Sequence, residues 1–402
     1  VATRGTATAR RAAAPPLPED LPSLARLFAE GRTLFLDIGP LREPQFTGIP
    51  NVAANLARAA LEAGLPCRFF IGENLIRPEH VRFLLESGGG FFGYHHQLGQ
   101  TAAGPLLAEV RRAPRPVGLF PAEKPFHRLF DVELQVVHDF STIATPHFHL
   151  DATRARHGAS LLDDIASNDL TICVSAATAG YLRRLCPEAA GRVAVAPNGV
   201  RWPERFAAMA EALYGRLDFE PFVLILGTLE PRKNLEVVFR ALAEDRGLLG
   251  RYRWIFTGRE GWLFDFAGTA ARHLGAVPEN VTHAGFVDEF RKYALLRFAR
   301  FTIYPSLFEG FGLPILESLS LGTPPVHSAS SSMAEVAGEA GFPFRPESPA
   351  ELLGAIYRLE AALAEDAAAL RRRCLDRAAG FTWQGMLATI LRETLLLERG
   401  RA

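Results

Sequence analysis

Phe222-Val223-Leu224-Ile225-Leu226-Gly227-Thr228-Leu229-Glu230-Pro231-Arg232-Lys233-Asn234 is the stretch on which the fold turns. Five consecutive apolar residues read as a strand buried on both faces, as in a parallel sheet covered by helices. A glycine turn follows, after which Leu235, Val238, Phe239 and Leu242 recur at helical spacing. The series continues through strand-like runs at Trp254 to Phe256, Phe301 to Tyr304 and Pro325 to Val326, with helical segments between them. That alternation predicts a doubly wound α/β domain.

Upstream, the same pattern occurs with different residues. Leu34 to Ile38, Cys67 to Ile71, Leu134 to Val137, Thr171 to Val174 and Val193 to Ala196 read as strands. Val52 to Ala63, Pro78 to Leu85 and Ala176 to Leu185 read as helices, and the turn Pro197-Asn198-Gly199 closes the series. Arg201 to Phe219 reads as a helical connector, Ser87 to Gln100 as a Gly/His-rich mobile loop, and Val1 to Pro22 as a flexible arm. Two long helices, Pro349 to Arg377 and Trp383 to Arg399, end the chain. The fold expected is α/β, with two Rossmann-like doubly wound parallel-sheet domains. Ligands of such sheets bind beyond the carboxyl ends of the strands.

The whole chain of 402 residues has 48% hydrophobic and 22% charged residues, which excludes a disordered or collagen-like polymer. Lys+Arg 44 balances Asp+Glu 44, so no general attraction to nucleic acid or an anionic membrane is expected, and an anion site must be local. Of the 44 basic residues 41 are arginine, which leaves three lysines to stand out. Cys67, Cys173, Cys186 and Cys374 lack zinc-like spacing, and no long apolar run or secretion signal is seen; the expected location is cytoplasmic. The group His147-x-His149 with Asp151 and His157 matches no familiar metal spacing, so no metal is expected there.

Arg232 and Lys233 precede a helix start, where two cations oppose the helix dipole at about 0.3 to 1 kcal/mol each unless an anion sits between them. A phosphate would remove the conflict, and Asn234 suits an N-cap. A second turn, Tyr304-Pro305-Ser306-Leu307-Phe308-Glu309-Gly310-Phe311-Gly312-Leu313-Pro314-Ile315-Leu316-Glu317, lies between a strand and a helix. Backbone N–H groups around Gly312 and Leu313 would form an anion-binding turn facing the first. Glu309 outside the helix and Glu317 in its first turn suit sugar hydroxyls at the two ends of a diphosphate.

These residues carry a resemblance. E-G-F-G-L-P-I-L-E, with seven residues between Glu309 and Glu317, together with G-T-L-E-P-R-K-N, Gly322-Thr323-Pro324 and Glu335-Val336-Ala337-Gly338, resembles glycosyltransferase family 4, a family of GT-B fold. The resemblance implies two domains facing across a cleft: 31–205 on the acceptor side and 206–378 for the nucleotide sugar, with an arm 1–30 and a crossover helix 379–402. It implies retaining, metal-independent transfer without a cofactor, from a nucleotide-diphosphate sugar to a saccharide or lipid-linked acceptor. The variant motifs look most like members using GDP-mannose in surface-polysaccharide assembly.

Position by position, the resemblance implies that Arg232 and Lys233 hold the diphosphate and that Glu309 bonds the donor sugar. Gly310, Phe311, Gly312 and Leu313 support sugar and phosphate, and Glu317 grips the ribose. His138 in Val136-Val137-His138-Asp139 stands near the donor sugar, Gly48 in the phosphate-approaching first loop, and Phe286 and Val287 at the nucleobase. Gly227, Thr257 and Gly258 line the same cleft. Asp139 either orients His138 or caps a turn. Arg111, Arg112, Arg115 and the arm residues Arg4, Arg10 and Arg11 read as solvated charge, with peripheral contact to anionic headgroups at the inner membrane as the alternative. The competing functional readings are a GT-B-shaped nucleotide-sugar epimerase and a non-catalytic nucleotide-sugar-binding scaffold.

Overall fold

A computed structural model describes residues 16–43, 48–86, 102–217 and 220–401. The whole Ser87 to Gln100 loop, Arg4, Arg10 and Arg11, and the start of the arm lie outside the described residues.

The first sheet has eight strands: β1 (Thr33–Asp37), β2 (Cys67–Ile71), β3 (Asn74–Ile76), β4 (Ala102–Pro105), β5 (Pro116–Phe120), β6 (Val132–Val137), β7 (Leu170–Cys173) and β8 (Val193–Val195). Their spatial order is β4-β3-β2-β1-β5-β6-β7-β8. From β2 to β8 all neighbours are parallel, with Leu34 level with Cys67 and Leu36 level with Leu119. The edge departs from a purely parallel sheet, because β3 turns back antiparallel on β2 and β4 on β3.

The central strand β5 is absent from the sequence reading. Its five residues, Pro116-Val117-Gly118-Leu119-Phe120, follow Pro114 and contain a glycine, which hides a strand in propensity terms. Gly118 is there for space: a Cβ on it would stand 2.4 Å from the Phe130 ring. No helix links β5 to β6. The irregular segment between them is held from below by a buried network, in which Lys124 Nζ donates to Glu133, Ser167 Oγ (2.7 Å) and Asn168 Oδ1 (3.1 Å). Asp164 accepts from the Lys124 amide at 3.0 Å and from Gln135 Nε2 at 2.9 Å. Backbone that a helix would have satisfied is thus satisfied by side chains.

The second sheet is parallel throughout: β9 (Phe222–Leu226), β10 (Arg253–Thr257), β11 (Val281–His283), β12 (Phe301–Tyr304), β13 (Pro325–Ser328) and β14 (Phe342–Phe344), in the order β11-β10-β9-β12-β13-β14. The order reverses between β9 and β12, whose Ile225 and Ile303 are level. Ligands of doubly wound sheets sit at such a reversal, and the two quoted turns leave these two strands side by side.

The arm needs a correction. Leu21–Ala29 is a helix, capped by Asp20, which accepts from the Ser23 amide at 2.8 Å. Leu21, Leu24, Ala25 and Phe28 form its buried face, packed on the terminal helix Trp383–Arg401. Arg392 Nη2 ties that helix to the carbonyls of Pro18 (3.2 Å) and Glu19 (3.1 Å), and Arg32 pairs with Glu398. A nine-residue amphipathic segment is marginal alone, and its apolar partner lies at the opposite end of the chain. Trp383, Leu387, Ile390 and Leu391 of the terminal helix share one core with β1, β5 and β6, so this helix does return to the first domain.

Candidate active site

Pro231–Lys233 forms one 3-10 turn directly after β9, and it carries Arg232 and Lys233 toward the turn after β12. Lys233 Nζ donates to Glu309 Oε1 at 2.5 Å. Arg232 Nη1 donates to Glu309 Oε2 at 3.1 Å and to the Phe308 carbonyl at 2.8 Å, while Nη2 donates to Glu230 Oε1 at 2.6 Å. Ser306 Oγ adds a bond to Glu309 Oε1 at 2.7 Å. The anion that two cations at a helix start demand is therefore supplied first by the protein's own carboxylates, and the group of four charges is neutral as a whole.

Burial alone would raise the Glu309 pKa, but Lys233 and Arg232 outweigh it and hold the carboxyl at about 2. Burial works against the Arg232 charge as well, yet Glu309 and Glu230 raise its pKa overall. Both groups are ionised at neutral pH. A folded-state pKa below the unfolded one adds stability above the ordinary glutamate value and loses it as pH falls toward the folded pKa. A Glu309→Gln protein is therefore expected to lose about 3 kcal/mol at pH 7, with the gap to wild type narrowing between pH 5 and pH 3 in urea titrations. A gap independent of pH would contradict the pairing.

Asn234 does not cap the next helix. It takes a left-handed conformation (φ 54°), and its amide donates to the carbonyls of Pro305 (3.1 Å) and Pro346 (2.7 Å). It ties the β9 turn to the β12 turn instead. Gly227 (φ 154°) and Gly258 (φ 148°) are a close pair: a Cβ on Gly258 would meet the Gly227 carbonyl oxygen at 1.9 Å. Thr257 Oγ1 and the Gly258 amide both donate to the Gly285 carbonyl, at 2.8 and 2.9 Å. Beyond Gly285, Phe286 is exposed and Val287 half-buried.

The turn after β12 is pinned from both sides. Ser331 Oγ and Ser332 Oγ donate to the Glu309 carbonyl, the latter at 2.9 Å. Gly310 lies against the first domain, where a Cβ would stand 1.8 Å from the His138 carbonyl oxygen. The Gly310 carbonyl accepts from Ser175 Oγ (2.6 Å) and Thr178 Oγ1 (3.0 Å). Glu335 crosses in the same direction, accepting from the amides of Ala176 (2.9 Å) and Ala177 (3.2 Å). Phe311 is buried against Phe381, and Gly312 (φ 96°) takes the left-handed conformation ahead of the helix Leu313–Ser320. Lys233, Ser306, Glu309 and Gly312 line one hollow with Leu226 and Tyr304.

His138 follows β6 and is brought to this turn. Its Nε2 lies 2.7 Å from the Pro121 carbonyl, so Nε2 carries the proton, and burial lowers its pKa. Asp139 does not orient it; Oδ1 accepts from the Ser141 amide and hydroxyl, both at 2.8 Å, which makes Asp139 a turn cap.

Two expected residues stand apart. Glu317 lies beyond the first turn of its helix and accepts from Lys292 Nζ at 2.6 Å, away from the Arg232 cluster. Gly48 begins the helix Gly48–Glu62 with open space around it, and Thr47 beside it lies outside the described residues. Glu43, after the 3-10 turn that follows β1, lies within electrostatic reach of Arg259 of the second domain. All three lysines, Lys124, Lys233 and Lys292, are paired with a glutamate. His147 lies tilted against the Phe148 ring and His157 pairs with Glu123; among the described residues no group of three His, Cys, Asp or Glu side chains could hold a metal ion. No helix among the described residues is long and apolar enough to cross a membrane.

The sequence reading assigned no role to Glu230, Ser306 or Trp262. A carboxylate two residues ahead of Arg232 was the available signal for Glu230; nothing local marks Trp262, whose Nε1 donates to the Phe148 carbonyl of the first domain at 2.7 Å.

Residues 215–375 match the family described as Glycosyl transferases group 1. The O-antigen chain mannosyltransferase B of Escherichia coli is 34% identical over 234 residues, 54% of this chain and 57% of that one. A serotype-specific mannosyltransferase WbdA of Escherichia coli is 28% identical over 168 residues, 41% of this chain and 20% of that one. The chain thus spans little more than half of one relative and a fifth of the other. Among solved structures, Anabaena HepE in complex with UDP-glucose is similar with a TM-score of 0.61 at 19% identity, over 91% of this chain and 100% of that one. Likeness at that identity establishes the GT-B fold and nothing finer.

Proposed function

We propose, from the match of residues 215–375 to the group 1 glycosyl transferases, that the protein moves a hexose, mannose or a related sugar, from a nucleotide-diphosphate donor to a saccharide or lipid-linked saccharide in polysaccharide or lipopolysaccharide assembly. The observation that carries this reading is the Arg232, Lys233 and Glu309 cluster at the strand-order reversal, closed over by His138 and Gly310. Lys233 has three N–H donors, of which Glu309 takes one, and Arg232 Nε is buried without a partner among the described residues. These are the groups that can meet a diphosphate.

In this reading the leaving diphosphate gains charge as the anomeric C–O bond breaks, and Arg232 and Lys233 stabilise it in a site shielded from water. The acceptor hydroxyl attacks from the same face, its proton passes to the departing phosphate oxygen, and the anomeric configuration is kept. Glu309, already anionic and tied on both oxygens, orients the cations and meets the donor sugar rather than acting as a nucleophile. Two side-chain cations supply the charge, so no metal enters the scheme. GDP-mannose is the preferred donor because two of the relatives are mannosyltransferases.

Thermal unfolding with GDP-mannose, UDP-glucose and UDP-GlcNAc is expected to single out GDP-mannose, since a ligand at a hundred times its Kd adds about 2.7 kcal/mol. Turnover should persist in EDTA, and the product should show a retained anomeric configuration by NMR. An inverted product or loss of activity in EDTA would refute the mechanism. Epimerised donor formed without acceptor would favour the epimerase instead.

A further inference from the structure

The segment after β6 reaches into the cleft from the first domain and carries one polar side chain that the mechanism leaves unused. His149 follows the 3-10 turn Pro146–Phe148. Both of its ring nitrogens are buried, and among the described residues neither has a hydrogen-bond partner. An imidazole with nothing to bond is a costly thing to bury, and buried polar groups without partners mark positions where something else binds.

Its surroundings say what binds there. Arg232, Asp139, Glu230 and His157 are near enough to act on its charge, and the Trp262 ring lies 6.3 Å away at 40°. Arg232 contributes the second orphan: Nη1 and Nη2 are used, whereas Nε is buried and free of partners among the described residues. Arg232 is within electrostatic reach of His149, so two N–H donors without partners among the described residues, one from each domain, lie in the same region of the molecule. The bond from Trp262 Nε1 to the Phe148 carbonyl fixes the backbone beside His149 to the second domain. An oxyanion with several acceptor lone pairs satisfies both donors; a lone hydroxyl does not satisfy them as well.

Building on the proposed donor site, we propose that His149 is a phosphate contact: its imidazole N–H donates to an oxygen of the donor's distal phosphate, opposite Arg232 Nε. No group of three His, Cys, Asp or Glu side chains that could hold a metal ion is found among the described residues, His149 included. The role is binding and orientation of the leaving group, with no proton exchanged. Trp262 is the positioning residue behind it.

The test is titration calorimetry of the full chain with GDP and UDP, each paired with its monophosphate, on wild type, His149→Ala, His149→Gln, Trp262→Phe and, as reference, Lys233→Ala. For whichever diphosphate the wild type binds, His149→Ala is expected to weaken affinity about tenfold while changing the monophosphate less than twofold. His149→Gln, whose amide restores an N–H, should recover part of the loss, and Trp262→Phe should fall between the two. Unchanged diphosphate affinity in His149→Ala, or an equal loss for both nucleotides, would overturn the assignment. If Lys233→Ala weakens binding and His149→Ala does not, this proposal fails and the donor site stands. If the wild type binds neither diphosphate, or neither variant weakens binding, both readings fail together.

Discussion

Arg232→Ala is expected to cost both activity and folding stability, and no other single substitution in the cleft should do both so strongly. The guanidinium bridges Glu230 and Glu309, and it also satisfies the Phe308 carbonyl. Glu230 is 3% exposed. Without Arg232 it stays buried with no cation beside it, and breaking a buried pair from one side costs about 3–5 kcal/mol. Turnover should fall by about 10²–10³ through the lost stabilisation of the leaving group. Thermal unfolding should drop by roughly 6 °C or more. Arg232→Lys separates the two effects, because an ammonium cannot span two carboxylates and a carbonyl in a plane; it should recover part of the stability and little of the turnover. Wild-type unfolding in Arg232→Ala, or turnover within threefold, would contradict the bridging role.

Gly310→Ala should be nearly as damaging to catalysis, by a different route. The added methyl would stand 1.8 Å from the His138 carbonyl oxygen and 2.7 Å from the Asp139 Cβ, both in the other domain. Backbone cannot yield that far without pulling the turn off the first domain, which breaks the bonds from Ser175 and Thr178 to the Gly310 carbonyl. A displacement of about 1 Å at a transfer site can cost 10²-fold in rate, so a loss of about 10² is expected with each domain still folded. Gly31→Ala, with open space at the Cβ position, is the control and should be silent. Far-UV circular dichroism together with turnover checks both variants; near-normal turnover in Gly310→Ala would mean that the two domains need not meet there.

Much of this was legible from residue order. An apolar run, a glycine turn and a helical repeat identify β9 and its helix wherever they occur, because burial on both faces and the 3.6-residue period are local signals. Helix Ala176–Leu185 and the long terminal helices lie where their periodicity places them. The pairing of Arg232 and Lys233 with an acid was half visible: the need for an anion was clear, its identity was not. Glu309 lies 76 residues from Lys233 along the chain, and they meet only because β9 and β12 are neighbours in the sheet. Strand β5 escaped notice because Pro116 and Gly118 weaken its pattern, while its place at the centre of the sheet depends on partners far away in sequence.

What residue order determined by itself, then, is the set of elements and the two turns rich in glycine and charge, since these follow from local spacing and backbone freedom. Tertiary structure decided the rest. It assigned Glu230 and Glu309 to Arg232, set Gly310 against His138, turned Glu317 to Lys292, docked Leu21–Ala29 on the terminal helix and left His149 within electrostatic reach of Arg232 with its nitrogens unsatisfied among the described residues. Each of those outcomes is a contact between segments separated by many residues, and their partners are selected by packing and burial across the whole molecule rather than by any neighbour in the chain.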